Sequence, residues 1–164
     1  MLIADSSLRS VALAGFCAVL IVLSAIDYRT GRLPDRFVLP TLWAGLLLNT
    51  TALGLVPAAD AILGVAAGYV SLRVLCLAAR PRYGTACFGG GDLKLAAAIG
   101  AWLGVDAIPA VLLVAFLSGT LAVLGPLLLG RVQPRQKVPF GPALAAGGML
   151  TLLAGPSLIG LLPF

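Results

Sequence analysis

The sequence predicts an all-α polytopic membrane protein with about six transmembrane helices, the fourth short or re-entrant. Three observations predict it. Of 164 residues, 60% are hydrophobic and 10% are charged, against about 25% charged in a soluble domain. Mean hydropathy is +1.09, and a core this small cannot hide so much apolar surface from water. The apolar stretches are continuous and rich in Leu and Ala. That pattern suits helices, which satisfy their own backbone groups in lipid, and disfavours a barrel of strands alternating over about ten residues.

A spanning helix needs roughly 20 apolar residues. Taken in order, the apolar segments are 8–26, 37–56, 58–79, 92–104, 106–130 and 140–162. The first runs into a polar loop at 27–36 with no small-residue cleavage site before a soluble domain, which argues against a signal peptide. The second and third are joined at 57 without Lys or Arg. The third ends in a polar loop at 80–91. The fourth has thirteen residues, or about 20 Å of helix against a hydrocarbon core of about 30 Å. If its outer end reaches the far interface, its start lies below the inner surface. The fifth ends in a polar loop at 131–139, and the sixth closes the chain. No internal repeat is evident, and one transmembrane domain over 1–164 is expected.

Six crossings place the three polar loops on one side. They hold Arg29, Arg32, Arg36, Arg80, Arg82, Arg131, Arg135 and Lys137, eight of the eleven basic residues. The positive-inside rule makes that side cytoplasmic. Arg9 dissents near the outer end of the first segment, and Arg73 is placed to snorkel. The net charge of +5 is therefore no nucleic-acid signal.

The chain has no histidine, which excludes Ser-His and Cys-His catalysis and HExxH zinc sites. Cys17, Cys76 and Cys87 form no CxxC and no metal spacing, so apolar packing is their expected role. No cofactor and no metal are expected. A Ser-Lys site at Lys94 or Lys137 has no serine near either in sequence.

All six acidic residues are aspartate. Asp5 lies near the N-terminus. Asp60 and Asp106 sit at outer helix ends, where a carboxylate meets the helix dipole. Asp35 follows Pro34 and reads as an N-cap. Asp27 follows the apolar run 19–26 without a break, which is costly unless it is functional, paired or wet; pairing with Arg29 is its structural alternative. Asp92 follows Phe88-Gly89-Gly90-Gly91 and opens the short helix; N-capping is its structural alternative. Together the two lie at similar depth, on different helices, at one face. Two close carboxyl groups cannot both ionise easily and share a proton. The ionised member serves as general base to water and the protonated one donates to the scissile carbonyl oxygen. Gly89, Gly90 and Gly91 would give flexibility and close backbone access, including to an extended substrate strand. Arg29 and Lys94 are possible supporting residues. Two readings of other classes stand beside hydrolysis: a small proton-coupled transporter using the same aspartates, and a non-catalytic assembly subunit.

Three elements carry a resemblance. Asp27-Tyr28-Arg29-Thr30-Gly31-Arg32-Leu33-Pro34-Asp35 resembles the D-x-[RH]-x-x-x-[IL]-P-[DN] motif of bacterial type IV prepilin peptidases. Gly89-Gly90-Gly91-Asp92-Leu93-Lys94-Leu95 resembles their G-x-G-D-x-K-L motif. Pro139-Phe140-Gly141-Pro142 is similar to the PFGP element of their last helix. The resemblance implies that Asp27 and Asp92 are the catalytic dyad of a GxGD-type aspartic endopeptidase. It implies a multi-pass protein of the bacterial inner membrane that removes leader peptides from prepilin or pseudopilin precursors at the cytoplasmic face. Membrane lipid is the expected partner of the basic loops. With no CxxC pairs, the resemblance is to the short, peptidase-only form, without zinc or N-methyltransferase activity. The sequence leaves oligomeric state and the particular pilin open.

Overall fold

The computed structural model describes residues 2–83, 89–128 and 139–155. Among them the chain forms six α-helices: α1 Leu2–Thr30, α2 Asp35–Asn49, α3 Ala58–Tyr83, α4 Gly90–Leu103, α5 Ile108–Leu128 and α6 Gly141–Ala154. The all-α expectation holds, and so does the count of six. Three helices are long and apolar enough to cross a membrane, over Ser7–Thr30, Ala58–Ala78 and Ile108–Gly125, and α6 is a shorter apolar helix. Large apolar side chains lie exposed around the rim, among them Val11 and Ile21 on α1, Ile62 and Val70 on α3, Leu117 and Leu121 on α5 and Leu153 on α6. A surface of that kind is solvated by lipid rather than water.

The short α4 is the centre of the bundle. Ten of its fourteen residues are buried, Asp92, Leu93, Leu95 and the run 96–102. It packs chiefly against α3 and α2, and α6 touches it and also joins α1 to α5. Small residues set the distances. Gly64 and Gly68 of α3 lie against the α4 backbone at Gly100 and Ala96, where a Cβ on either glycine would collide with a carbonyl oxygen. Trp102 fills the space beside Gly45 of α2, stacks on Phe16 of α1 with ring centroids 4.5 Å apart, and donates its indole N–H to the Thr41 carbonyl at 2.8 Å.

Several boundaries differ from the sequence expectation. α1 runs on through Thr30, so Asp27 lies in its last turn and not in a loop. Gly31 ends it with φ 61° and donates its N–H to the Asp27 carbonyl at 2.7 Å, a left-handed terminus that glycine adopts without a side-chain clash. α2 ends at Asn49 instead of continuing to 56. The buried Asn49 amide donates to the Ala101 carbonyl at 2.8 Å and its oxygen accepts the Leu55 and Val56 N–H groups at 2.7 and 3.2 Å. These bonds satisfy an apolar turn that composition alone reads as helix. α3 stays helical through Tyr83, past the expected loop start at Arg80. Cys87, Phe88, Arg131, Arg135 and Lys137 lie outside the described residues.

Candidate active site

Antiparallel succession brings the end of α1 and the starts of α2, α4 and α6 to one end of the bundle. Asp27 comes from the last turn of α1 and is 4% exposed; Asp92 comes from the first turn of α4 and is 8% exposed. They are the two buried acidic side chains among the described residues.

Each carboxyl is tied by a glycine N–H at the start of a short helix. Gly89 donates to Oδ2 of Asp92 at 2.9 Å, and Gly141 donates to Oδ2 of Asp27 at 2.9 Å. Hydrogen bonds to a carboxylate are stronger than neutral ones, and a helix start favours negative charge. The first bond is local, three residues apart. The second joins residues 114 apart in sequence. Among the described residues the second oxygen of each carboxyl has no hydrogen-bond partner. Thr151 Oγ1 is the one fully buried side-chain polar atom without a partner among the described residues.

The glycine run differs from its expectation. Gly89 is extended (φ −70°, ψ 152°) and is the N-cap, while Gly90 and Gly91 form the first helical turn, which puts Asp92 third in the helix. Asp92 is therefore not the N-cap itself, yet its carboxylate does bond the cap residue's N–H. Gly90 and Gly91 are helical and offer no extended edge for strand pairing. Gly91 serves close packing: a Cβ there would sit 2.7 Å from the Leu33 Cβ, so the Gly-Gly turn lies directly on the segment that follows Asp27.

The supporting residues separate. Lys94 forms an ion pair with Asp35 at 2.6 Å, clamping the start of α4 to the start of α2. Asp35 is the first residue of α2, after Pro34, and makes no capping bond; its partner is Lys94. Arg29 is exposed at the same end and forms no ion pair with Asp27, so that structural alternative fails. Asp60 lies in the first turn of α3 and Asp106 in the turn before α5. No three His, Cys, Asp or Glu side chains among the described residues group to hold a metal. An apolar groove of about 560 Å³ runs between α5 and α6; its lining includes Phe140 and Pro142 but neither aspartate.

Gly141 is the site residue that reasoning from local sequence missed. Its signal was the Pro-Phe-Gly-Pro string, but nothing near it in the chain names Asp27 as its partner.

A helical, lipid-solvated bundle with two buried carboxyl groups at one end defines a multi-pass membrane protein. Comparison with known proteins gives the lineage: residues 14–124 match the type IV leader peptidase family, and the chain belongs to that family. It is 44% identical over 141 residues to the prepilin leader peptidase/N-methyltransferase of Burkholderia pseudomallei (strain 1026b), covering 86% of this chain and 45% of that protein. The proteins of the same name from Aeromonas salmonicida (strain A449) and Neisseria gonorrhoeae are 44% and 41% identical over 140 residues, covering 85% of this chain and 48% and 47% of theirs. The chain thus spans about half the length of these curated relatives. No solved structure matches it. The family gives no support to the transporter alternative.

Proposed function

We propose that this chain is a single transmembrane peptidase domain. It removes the leader from type IV prepilin or pseudopilin precursors at the cytoplasmic face of the bacterial inner membrane, with Asp27 and Asp92 as the catalytic pair. The observation that carries the reading is the pair itself: two buried carboxyl groups at one end of the bundle, each with Oδ2 held by a backbone N–H and the other oxygen without a hydrogen-bond partner among the described residues. The names of the relatives supply the substrate, and the reading takes the peptidase half of those names alone.

The chemistry follows from sharing one proton between two carboxyls. The ionised member removes a proton from water, and the water oxygen attacks the scissile carbonyl carbon. The protonated member gives its proton to the carbonyl oxygen, forming a tetrahedral diol. Collapse breaks the C–N bond, with a proton passing to the departing amine. The pair titrates as a unit, so neither aspartate is assigned the proton. No cofactor enters this scheme. A substrate whose apolar helix lies in the bilayer presents its cytoplasmic end near the level of the pair. The exposed Arg29, Arg32 and Arg36 at that end suit acidic lipid headgroups.

The test is cleavage of a purified prepilin in detergent or liposomes by the wild type, Asp27→Asn and Asp92→Asn. The reading expects a shortened product from the wild type and none from either variant, with both variants folded. Persistent cleavage by either variant sinks the dyad; ion movement without any cleavage would favour transport.

A further inference from the structure

The Pro139-Phe140-Gly141-Pro142 element stands outside the scheme above, although Gly141 touches Asp27 twice over. Its N–H donates to Asp27 Oδ2 at 2.9 Å. Its missing side chain is the space that the carboxyl occupies: a Cβ there would lie 2.5 Å from Oδ2, 2.9 Å from Cγ and 3.0 Å from the Asp27 Cβ. We propose that Gly141 is a positioning residue for Asp27, fixing which carboxyl oxygen is tied back and which is left for water and the shared proton. The proposal rests on the aspartyl reading.

The rest of the element makes the donor rigid. Phe140 packs on Phe116 of α5 with ring centroids 5.3 Å apart, and its carbonyl accepts the Leu144 N–H at 3.0 Å. Further along α6, Gly147 lies against the α5 backbone at Val111. The start of α6 is thus seated on α5 and presents one N–H to a carboxyl on α1. Asp92 needs no such long-range device, because Gly89 supplies its N–H from within the same turn. Asp27 faces the opposite problem. It sits at the C-terminal end of its own helix, where carbonyl groups and not N–H groups are left over, so its donor has to come from another helix.

The competing account is purely structural, with Asp27 merely capping α6. The two accounts differ in which rate constant moves. The full chain would be assayed as wild type, Gly141→Ala and Gly148→Ala, measuring kcat and KM for prepilin and thermal unfolding in the same detergent. Gly148→Ala is the structural control on the same helix, since the nearest atoms its Cβ would meet are those of the Ile99 side chain, at 3.2 Å. Positioning predicts kcat on the order of a hundredfold lower in Gly141→Ala, with KM within about twofold. Gly148→Ala should lose melting temperature while keeping kcat. A Gly141→Ala protein that keeps its kcat, whatever its melting temperature, overturns the proposal. Should that variant fail to fold, the wild type decides. The Gly141 amide resonance should move with pH, and that movement should vanish in Asp27→Asn. An amide indifferent to pH overturns the proposal. This arm needs no turnover, so a wild type that never cleaves would count against the peptidase reading and leave the Gly141 test standing.

Discussion

Gly64 of α3 and Gly100 of α4 meet backbone to backbone, each lying where a side chain on the other would strike a carbonyl oxygen. Small residues let helices approach this closely in lipid, where dispersion and interhelical bonds replace the hydrophobic drive. Gly64→Ala and Gly100→Ala should each lower stability by about 1–3 kcal/mol, the usual range for overpacking. Both force the same separation, so the double variant should cost less than the sum of the two. Thermal unfolding in one detergent checks this; strict additivity would mean that the two sites relax independently.

Asn49→Ala should be costly for a different reason. Removing the amide leaves the Leu55 and Val56 N–H groups and the Ala101 carbonyl without their side-chain partner. Stranded buried polar groups cost about 1–3 kcal/mol each at the upper end of context. The expected outcome is a markedly lower melting temperature, with any surviving folded protein still able to bind substrate. A change under about 0.5 kcal/mol, the range of ordinary surface substitutions, would show that water takes over those bonds.

Trp102→Phe separates stacking from hydrogen bonding. Phenylalanine retains an aromatic face toward Phe16 and loses the N–H that reaches the Thr41 carbonyl. Interhelical bonds in membrane proteins average about 0.6 kcal/mol, so a small loss is expected. Trp102→Ala should lose about 3–5 kcal/mol by opening a cavity. Similar losses in the two variants would place the stability in the bond and not in the ring.

The Lys94–Asp35 pair is 39% and 52% exposed on its two sides, so solvent screens it. A double-mutant cycle with Lys94→Met and Asp35→Asn should give about 0.2–1 kcal/mol, shrinking as salt is raised. Leader cleavage by Lys94→Met should stay within about tenfold of wild type, since about 1.4 kcal/mol corresponds to one decade in rate. A loss as deep as that expected of Asp92→Asn would assign the ammonium a chemical part.

Much of the architecture could be read before any coordinates, and the reason is solvent. Lipid forces helices, so six apolar runs give six helices, and the two aspartates adjoining such runs stand out from Asp35, Asp60 and Asp106, which helix ends explain in sequence, and from Asp5 near the N-terminus. What local reading missed depends on partners distant in sequence. The apolar run of α2 extends to 56, but the helix stops at Asn49, whose side chain bonds three backbone groups. Asp35 looked like a cap after Pro34, but Lys94, 59 residues on, takes its carboxylate. Gly90 and Gly91 read as a flexible turn, whereas the helix begins with them and Leu33 fills the space above Gly91. The Gly141–Asp27 bond spans most of the chain, and no periodicity reports it.

The brevity of α4 has a bearing on hydration. Fourteen residues make about 21 Å of helix, well short of the hydrocarbon thickness. A lipid-facing helix of that length would thin or pucker the bilayer around it. Since α4 is jacketed by α2, α3 and α6, its shortfall is met by protein and not by acyl chains, and the surrounding leaflet need not deform.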